Sequence, residues 1–183
     1  MRHIPNLICL MRLALIWPVV RLLHDRSYEL ALALFVIAAL SDGLDGFLAK
    51  RYSWISELGK VLDPAADKLL LIAVFVESAW LQLVPWWVTA AAVARDVMIG
   101  LGALIYRLWF GPLHGRPAVI SKINTAAQLL YLALVMLQAA FMFPPAGVLR
   151  ALAYIVVVTT AVSGLKYLSI FTRRAWSTPA RAV

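Results

Sequence analysis

The sequence predicts an all-α, polytopic integral membrane protein: six transmembrane helices in a single domain over residues 1–183, with both termini on the cytoplasmic side. Three observations predict it. The 183-residue chain is 63% hydrophobic with a mean hydropathy of +0.86, well outside the soluble range. The apolar residues gather into six runs close to the roughly 20 residues a helix needs to cross hydrocarbon. The Lys and Arg residues, which give a net charge of +8, cluster after the second, fourth and sixth runs, and cationic loops stay cytoplasmic.

The first run, Leu7 to Leu23, follows Ile4-Pro5-Asn6 and carries Arg12. No small-residue cleavage pattern follows it, so it is expected to be retained rather than removed as a signal peptide. Its own chemistry allows Asn6 to be a helix cap and Arg12 to snorkel to the interface. The second run, Leu30 to Leu48, comes after a polar turn with His24, Asp25 and Arg26, to which no chemistry is assigned. The connection expected at Ala49 to Leu62 is basic, through Lys50, Arg51 and Lys60, and Asp63-Pro64 after it has the form of a helix cap and first turn.

The third run, Leu69 to Val84, ends in Glu77 and an aromatic belt of Trp80, Trp86 and Trp87 suited to the outer interface. The fourth, Trp86 to Leu104, contains Arg95-Asp96. That pair is either a structural ion pair between helices or a cation aimed at a phosphate; ionisable groups inside a span point first to function. A second basic connection, Arg107 to Lys122, leads to the fifth run, Thr125 to Phe143, and the sixth is Leu149 to Leu165. Tyr131, Gln138 and Tyr154 there read as packing or polar contacts between helices. The basic rim follows from topology and from attraction to anionic membrane lipids, so no nucleic-acid partner is expected. The single Cys9 rules out an internal disulfide and a cysteine-based zinc site. His3, His24 and His114 are too dispersed for a metal cluster.

Against this background, Asp42 to Lys68 stands out, with Asp42, Asp45, Asp63 and Asp67 in an otherwise apolar sequence. Intervals of three and four put both members of each pair on one helix face. An Asp at a bilayer centre costs roughly 2.5–3.5 kcal/mol, so four could cost about 10–14 kcal/mol. Nearness to the interface and to Lys60 and Lys68 lowers that figure without removing the mutual repulsion. Hard divalent cations offset such a cluster, and oxygen-only donors select magnesium or manganese, with calcium as a further candidate. The same acids would also suit a cation transporter, although the sequence has no paired repeat of broken helices.

The pattern Asp42-x2-Asp45-Gly46-x2-Ala49-Lys50-x8-Gly59-x3-Asp63-x3-Asp67 resembles the motif of the CDP-alcohol phosphatidyltransferases, membrane enzymes of phospholipid synthesis. The resemblance implies two metal ions held by the four aspartates, Asp67 as the base toward the acceptor hydroxyl, and Gly46, Ala49, Lys50 and Gly59 around the cytidine nucleotide of CDP-diacylglycerol. It extends to Asn6 and Arg12, where an Asn-x2-Thr-x2-Arg opening has Cys9 in the Thr place, and to Arg95 and Lys122 as further substrate contacts. Arg95-Asp96-Val97-Met98 and the segment from Ile120 to Gln128 are similar to the cardiolipin synthase branch, implying phosphatidylglycerol as acceptor. The sister branch, phosphatidylglycerophosphate synthase, acts on glycerol 3-phosphate and usually has cations where this chain has Gly102 and Asn124. The family further implies a homodimer in a bacterial-type inner membrane, with its site at the cytoplasmic face.

The family has Arg where this chain has Lys50, and a Lys is a point charge without the bidentate fork; the neighbouring Arg51 could supply the fork instead. Lys50→Arg is therefore expected to keep or raise affinity for CDP, measured by calorimetric titration. A large loss would mean that Lys50 faces elsewhere.

Overall fold

The computed structural model describes residues 4–52, 59–110 and 119–177, with side chains described for 11–41, 68–103, 105, 109, 119–170 and 172. Among these residues helices are the only regular secondary structure: α1 (Ile4–His24), α2 (Tyr28–Tyr52), α3 (Gly59–Trp80), α4 (Trp86–Phe110), α5 (Val119–Phe141) and α6 (Ala146–Ser177). Two of them, over Val119–Phe141 and Ala146–Ile170, are clearly long and apolar enough to cross a membrane. Large apolar side chains such as Trp17, Leu40, Trp80, Trp109, Val158 and Leu165 lie exposed on the outside of the bundle, the kind of surface that marks a membrane or protein contact.

The helices form a closed ring in the order α1, α2, α5, α6, α4, α3, each packed on the next, and α3 also meets α5 across the middle. That cross-contact includes a stacked pair, Phe75 and Tyr131, with ring centroids 6.4 Å apart. The α3–α5 wall thus divides the bundle into two four-helix quarters, one bounded by α1 and α2 and the other by α4 and α6. The core runs through both, from Val19, Leu23 and Phe35 to Leu132, Met136 and Val156.

One end of the bundle is closed by three short turns. At the first two, the helix ends in a Schellman-type corner. Ser27 N–H donates to Leu22 O and Arg26 N–H to Leu23 O; Leu83 N–H donates to Ser78 O and Gln82 N–H to Ala79 O. Arg26, Gln82 and Met142 all take φ near +58°, the left-handed setting that ends a helix abruptly. At this end His24 Nδ1 lies 2.9 Å from Glu77 Oε1, joining α1 to α3. Trp87 meets Tyr154 with centroids 5.6 Å apart, joining α4 to α6.

At the opposite end two expectations are corrected. α2 continues to Tyr52 and α3 begins at Gly59, so Ala49, Lys50 and Gly59 lie on helices rather than in a connection. Asp63 consequently sits inside the first turns of α3 and is not its cap, a displacement larger than the one or two residues by which helix ends are ambiguous. The cause is that polar residues in the motif hide a helical period that propensity and packing still sustain.

Candidate functional site

The first quarter encloses a small cavity lined by Arg12 from α1, Ala38 and Ala39 from α2, Leu70 and Leu71 from α3, and Thr125 and Leu129 from α5. Each of the four bounding helices contributes. Arg12 is only 1% exposed, and a guanidinium taken that far out of water belongs with negative charge. The expectation that Arg12 snorkels to the interface is therefore replaced by one of a buried cation between α1, α2, α3 and α5.

Helical register connects this cavity to the acidic motif. Residues spaced three, four or seven apart share a stripe, and both α2 and α3 are helical through the motif. The stripe of Ala38 continues through Asp42, Asp45 and Ala49 away from the short-turn end, with Gly46 beside Asp45. The stripe of Leu70 and Leu71 continues back through Asp67, Asp63 and Gly59. On α5, Lys122 is one turn before Thr125 on the lining stripe and is exposed. The side chains of Asn6, Asp42, Asp45, Ala49, Lys50, Asp63 and Asp67, and the Cα surroundings of Gly46 and Gly59, lie outside the described residues. Among the described residues no group of three His, Cys, Asp or Glu side chains could hold a metal ion.

The second quarter is organised by Arg95 and Asp96. Asp96, 5% exposed, accepts through Oδ1 from both Lys68 Nζ of α3, at 2.6 Å, and Arg95 Nη1. Arg95 Nη2 donates to Ser121 Oγ of α5 at 2.6 Å and to Ser163 Oγ of α6 at 2.6 Å. A carboxylate shared by two cations leaves a net positive charge, spread over four helices and beside the motif, since Lys68 follows Asp67 directly. Arg95 is thus both an interhelical ion pair and a buried cation, but it lies across the α3–α5 wall from the Arg12 cavity. Its stem instead faces an apolar groove between α4 and α6 that includes Ala91, Met98 and Gly164.

Sequence reasoning overlooked Lys68 as a structural partner, along with Ser121 and Ser163. An apolar span with a lone serine gives no signal of which helix it will meet. Asn124 is fully buried and its Oδ1 accepts from Thr159 and Thr160, each at 2.9 Å, fastening α5 to α6. Glu77, expected to be about 15 Å from Asp67 along the helix, is at the turn end with His24.

Because removing the anion leaves two cations facing one another in a buried site, Asp96→Asn is expected to cost about 3–5 kcal/mol. Ser163→Ala, which removes one charge-assisted hydrogen bond, should cost about 1.5–3 kcal/mol. Thermal unfolding in detergent would read that order; a reversed order would displace Asp96 from the centre of the network.

Residues 2–164 match the family model described as CDP-alcohol phosphatidyltransferase. The chain is 32% identical over 181 residues to human cardiolipin synthase (CMP-forming), covering 90% of this chain and 60% of that protein. It is 37% identical over 102 residues to the Streptomyces coelicolor protein of the same name, covering 52% of this chain and 47% of that protein. To CDP-diacylglycerol–glycerol-3-phosphate 3-phosphatidyltransferase of Salmonella typhimurium it is 36% identical over 177 residues, covering 91% of this chain and 93% of that protein. The chain therefore spans about 60% of the length of the human relative and nearly all of the Salmonella one. With its aspartate motif carried on two helices that line one cavity, and a family match over most of its length, this chain belongs to the membrane-associated CDP-alcohol phosphatidyltransferase family.

Proposed function

We propose that this protein transfers the phosphatidyl group of CDP-diacylglycerol to an alcohol, releasing CMP, with phosphatidylglycerol as the acceptor and cardiolipin as the product. The observation that supports it is a cavity that holds the buried Arg12 and is lined by Ala38, Leu70 and Leu71, residues at helical intervals from Asp42 and Asp45 on α2 and from Asp63 and Asp67 on α3. The relatives named cardiolipin synthase support the acceptor. Glycerol 3-phosphate is the second reading, supported by the relative that the chain matches over almost its full length.

The family generally uses divalent metal ions, and the donor set fits a hard cation, since the motif offers carboxylate oxygens alone. Asp42, Asp45, Asp63 and Asp67 would hold two ions, magnesium or manganese, which supply charge neutralisation at the pyrophosphate. The rest is done by the chain. Asp67 accepts the proton of the acceptor hydroxyl. The freed oxygen forms a bond to the phosphorus of the phosphatidyl group, the bond from that phosphorus to the bridging oxygen breaks, and CMP leaves with the electron pair. Gly46, Ala49 and Gly59 give the nucleotide room against the two helices, and Lys50 meets its phosphates. Asn6, Arg12 and Lys122 supply further polar contacts and positive charge around the substrates, while Arg95, expected from the sequence to join them, lies across the α3–α5 wall and binds Asp96, Ser121 and Ser163.

In this proposal all six helices span the membrane, both ends of the chain are cytoplasmic, and the site opens sideways at the cytoplasmic leaflet of a bacterial-type inner membrane. The acyl chains can then stay in lipid while the pyrophosphate reaches the aspartates. Two copies form a homodimer.

Purified protein supplied with CDP-diacylglycerol, magnesium and either phosphatidylglycerol or glycerol 3-phosphate is expected to release CMP with the first acceptor. Release with only the second would select the alternative, and none with either would leave a cation transporter or an inactive membrane scaffold ahead. Asp67→Asn should lower kcat by about 10²–10⁴-fold, the usual worth of a general base, while CDP binding stays within a few-fold. Wild-type turnover in that variant would remove Asp67 from the role.

A further inference from the structure

We infer that Lys68 and Asp96 are positioning residues for the acidic site: their ion pair across α3 and α4 fixes the rotation of α3 that presents the Asp63–Asp67 stripe to the cavity. This rests on the transferase reading and adds to it a function for the second quarter of the bundle.

Two observations lead there. Lys68 directly follows Asp67, and successive positions on a helix differ by about 100° around its axis. Holding Lys68 against α4 therefore sets where position 67 falls. The described neighbours agree with that setting, because Leu70 and Leu71 on the Asp67 stripe line the Arg12 cavity while Lys68 reaches 2.6 Å to Asp96 in the opposite quarter. Apolar packing alone fixes this rotation weakly, since the surroundings of a membrane helix are apolar on every side. A directional, charge-assisted bond to a buried carboxylate fixes it well.

Asp96 is itself rigidly held. Its side chain is 4% exposed, and Arg95, at 3%, is tied to it and also to Ser121 and Ser163. The anchor for Lys68 therefore belongs to three other helices.

Lys68 is the residue to vary, because its side chain is 35% exposed and its loss leaves Asp96 paired with Arg95. Protein in detergent micelles would be compared as wild type, Lys68→Met, Lys68→Arg and, as a control at the far end of the same helix, Glu77→Gln. Three quantities would be measured: kcat and KM for CDP-diacylglycerol from CMP release, and Mn²⁺ affinity from the spin-resonance signal of the free ion. Lys68→Met is expected to lose about 10–100-fold in kcat and to bind Mn²⁺ more weakly, the scale of losing an outer support of a metal site or misplacing a reacting group by an ångström. KM should move less than about threefold, since nucleotide contacts are retained. Lys68→Arg should restore most of both losses, and Glu77→Gln should leave both at wild-type values. If wild type releases CMP and Lys68→Met keeps its turnover and Mn²⁺ affinity, the inference is overturned. Equal losses in Glu77→Gln would also overturn it, by reducing the pair to general helix stabilisation. A wild type that neither releases CMP nor binds Mn²⁺ would bring down the transferase reading, and this inference with it.

Discussion

Charge inside an apolar bundle persists only where an opposite charge or a hydrogen-bonding group meets it. In this protein that requirement is met in two adjoining places. Arg12 sits in the quarter bounded by α1, α2, α3 and α5, and the Lys68–Asp96–Arg95 chain in the quarter bounded by α3, α4, α5 and α6. Both share the α3–α5 wall. α3 carries acidic positions on one stripe and Lys68 beside it, and the role inferred for Lys68 would link the two centres through that helix.

The two ends of the bundle are built for different tasks. At the short-turn end the helices are tied by compact corners, by His24 with Glu77 and by Trp87 with Tyr154. At the other end α2 and α3 carry the aspartate motif, where the sequence turns from apolar to polar. Exposed Leu, Val and Trp residues are spread over the outside of the bundle, as expected for a membrane-associated family whose helices meet hydrocarbon rather than water.

Much of this was legible in the residues. Hydropathy located all six helices because the apolar runs are long and broken at charged or Gly/Pro-rich points, and the aspartate spacing pointed to paired helical stripes. The ends of α2 and α3 were less legible. Lys50, Arg51 and Lys60 look like a loop to a hydropathy profile, and Asp63-Pro64 looks like a helix start, yet the helical segments pass through both. Partner choice was the least legible feature. Arg95 next to Asp96 announces a pair, but the recruitment of Lys68, Ser121 and Ser163 depends on ring order, which no local pattern encodes. His24, an unremarkable turn residue in the sequence, becomes a partner of Glu77 for the same reason.

The left-handed corners at Arg26, Gln82 and Met142 turn the chain back on itself within a few residues, each in a conformation that costs a non-glycine residue roughly 1–2 kcal/mol. Such hairpin tips offer little extended backbone for a protease to grip and little slack for an inserted peptide. Drift in length during evolution, and any grafted epitope or fluorophore, would be absorbed most easily elsewhere than at these three tips.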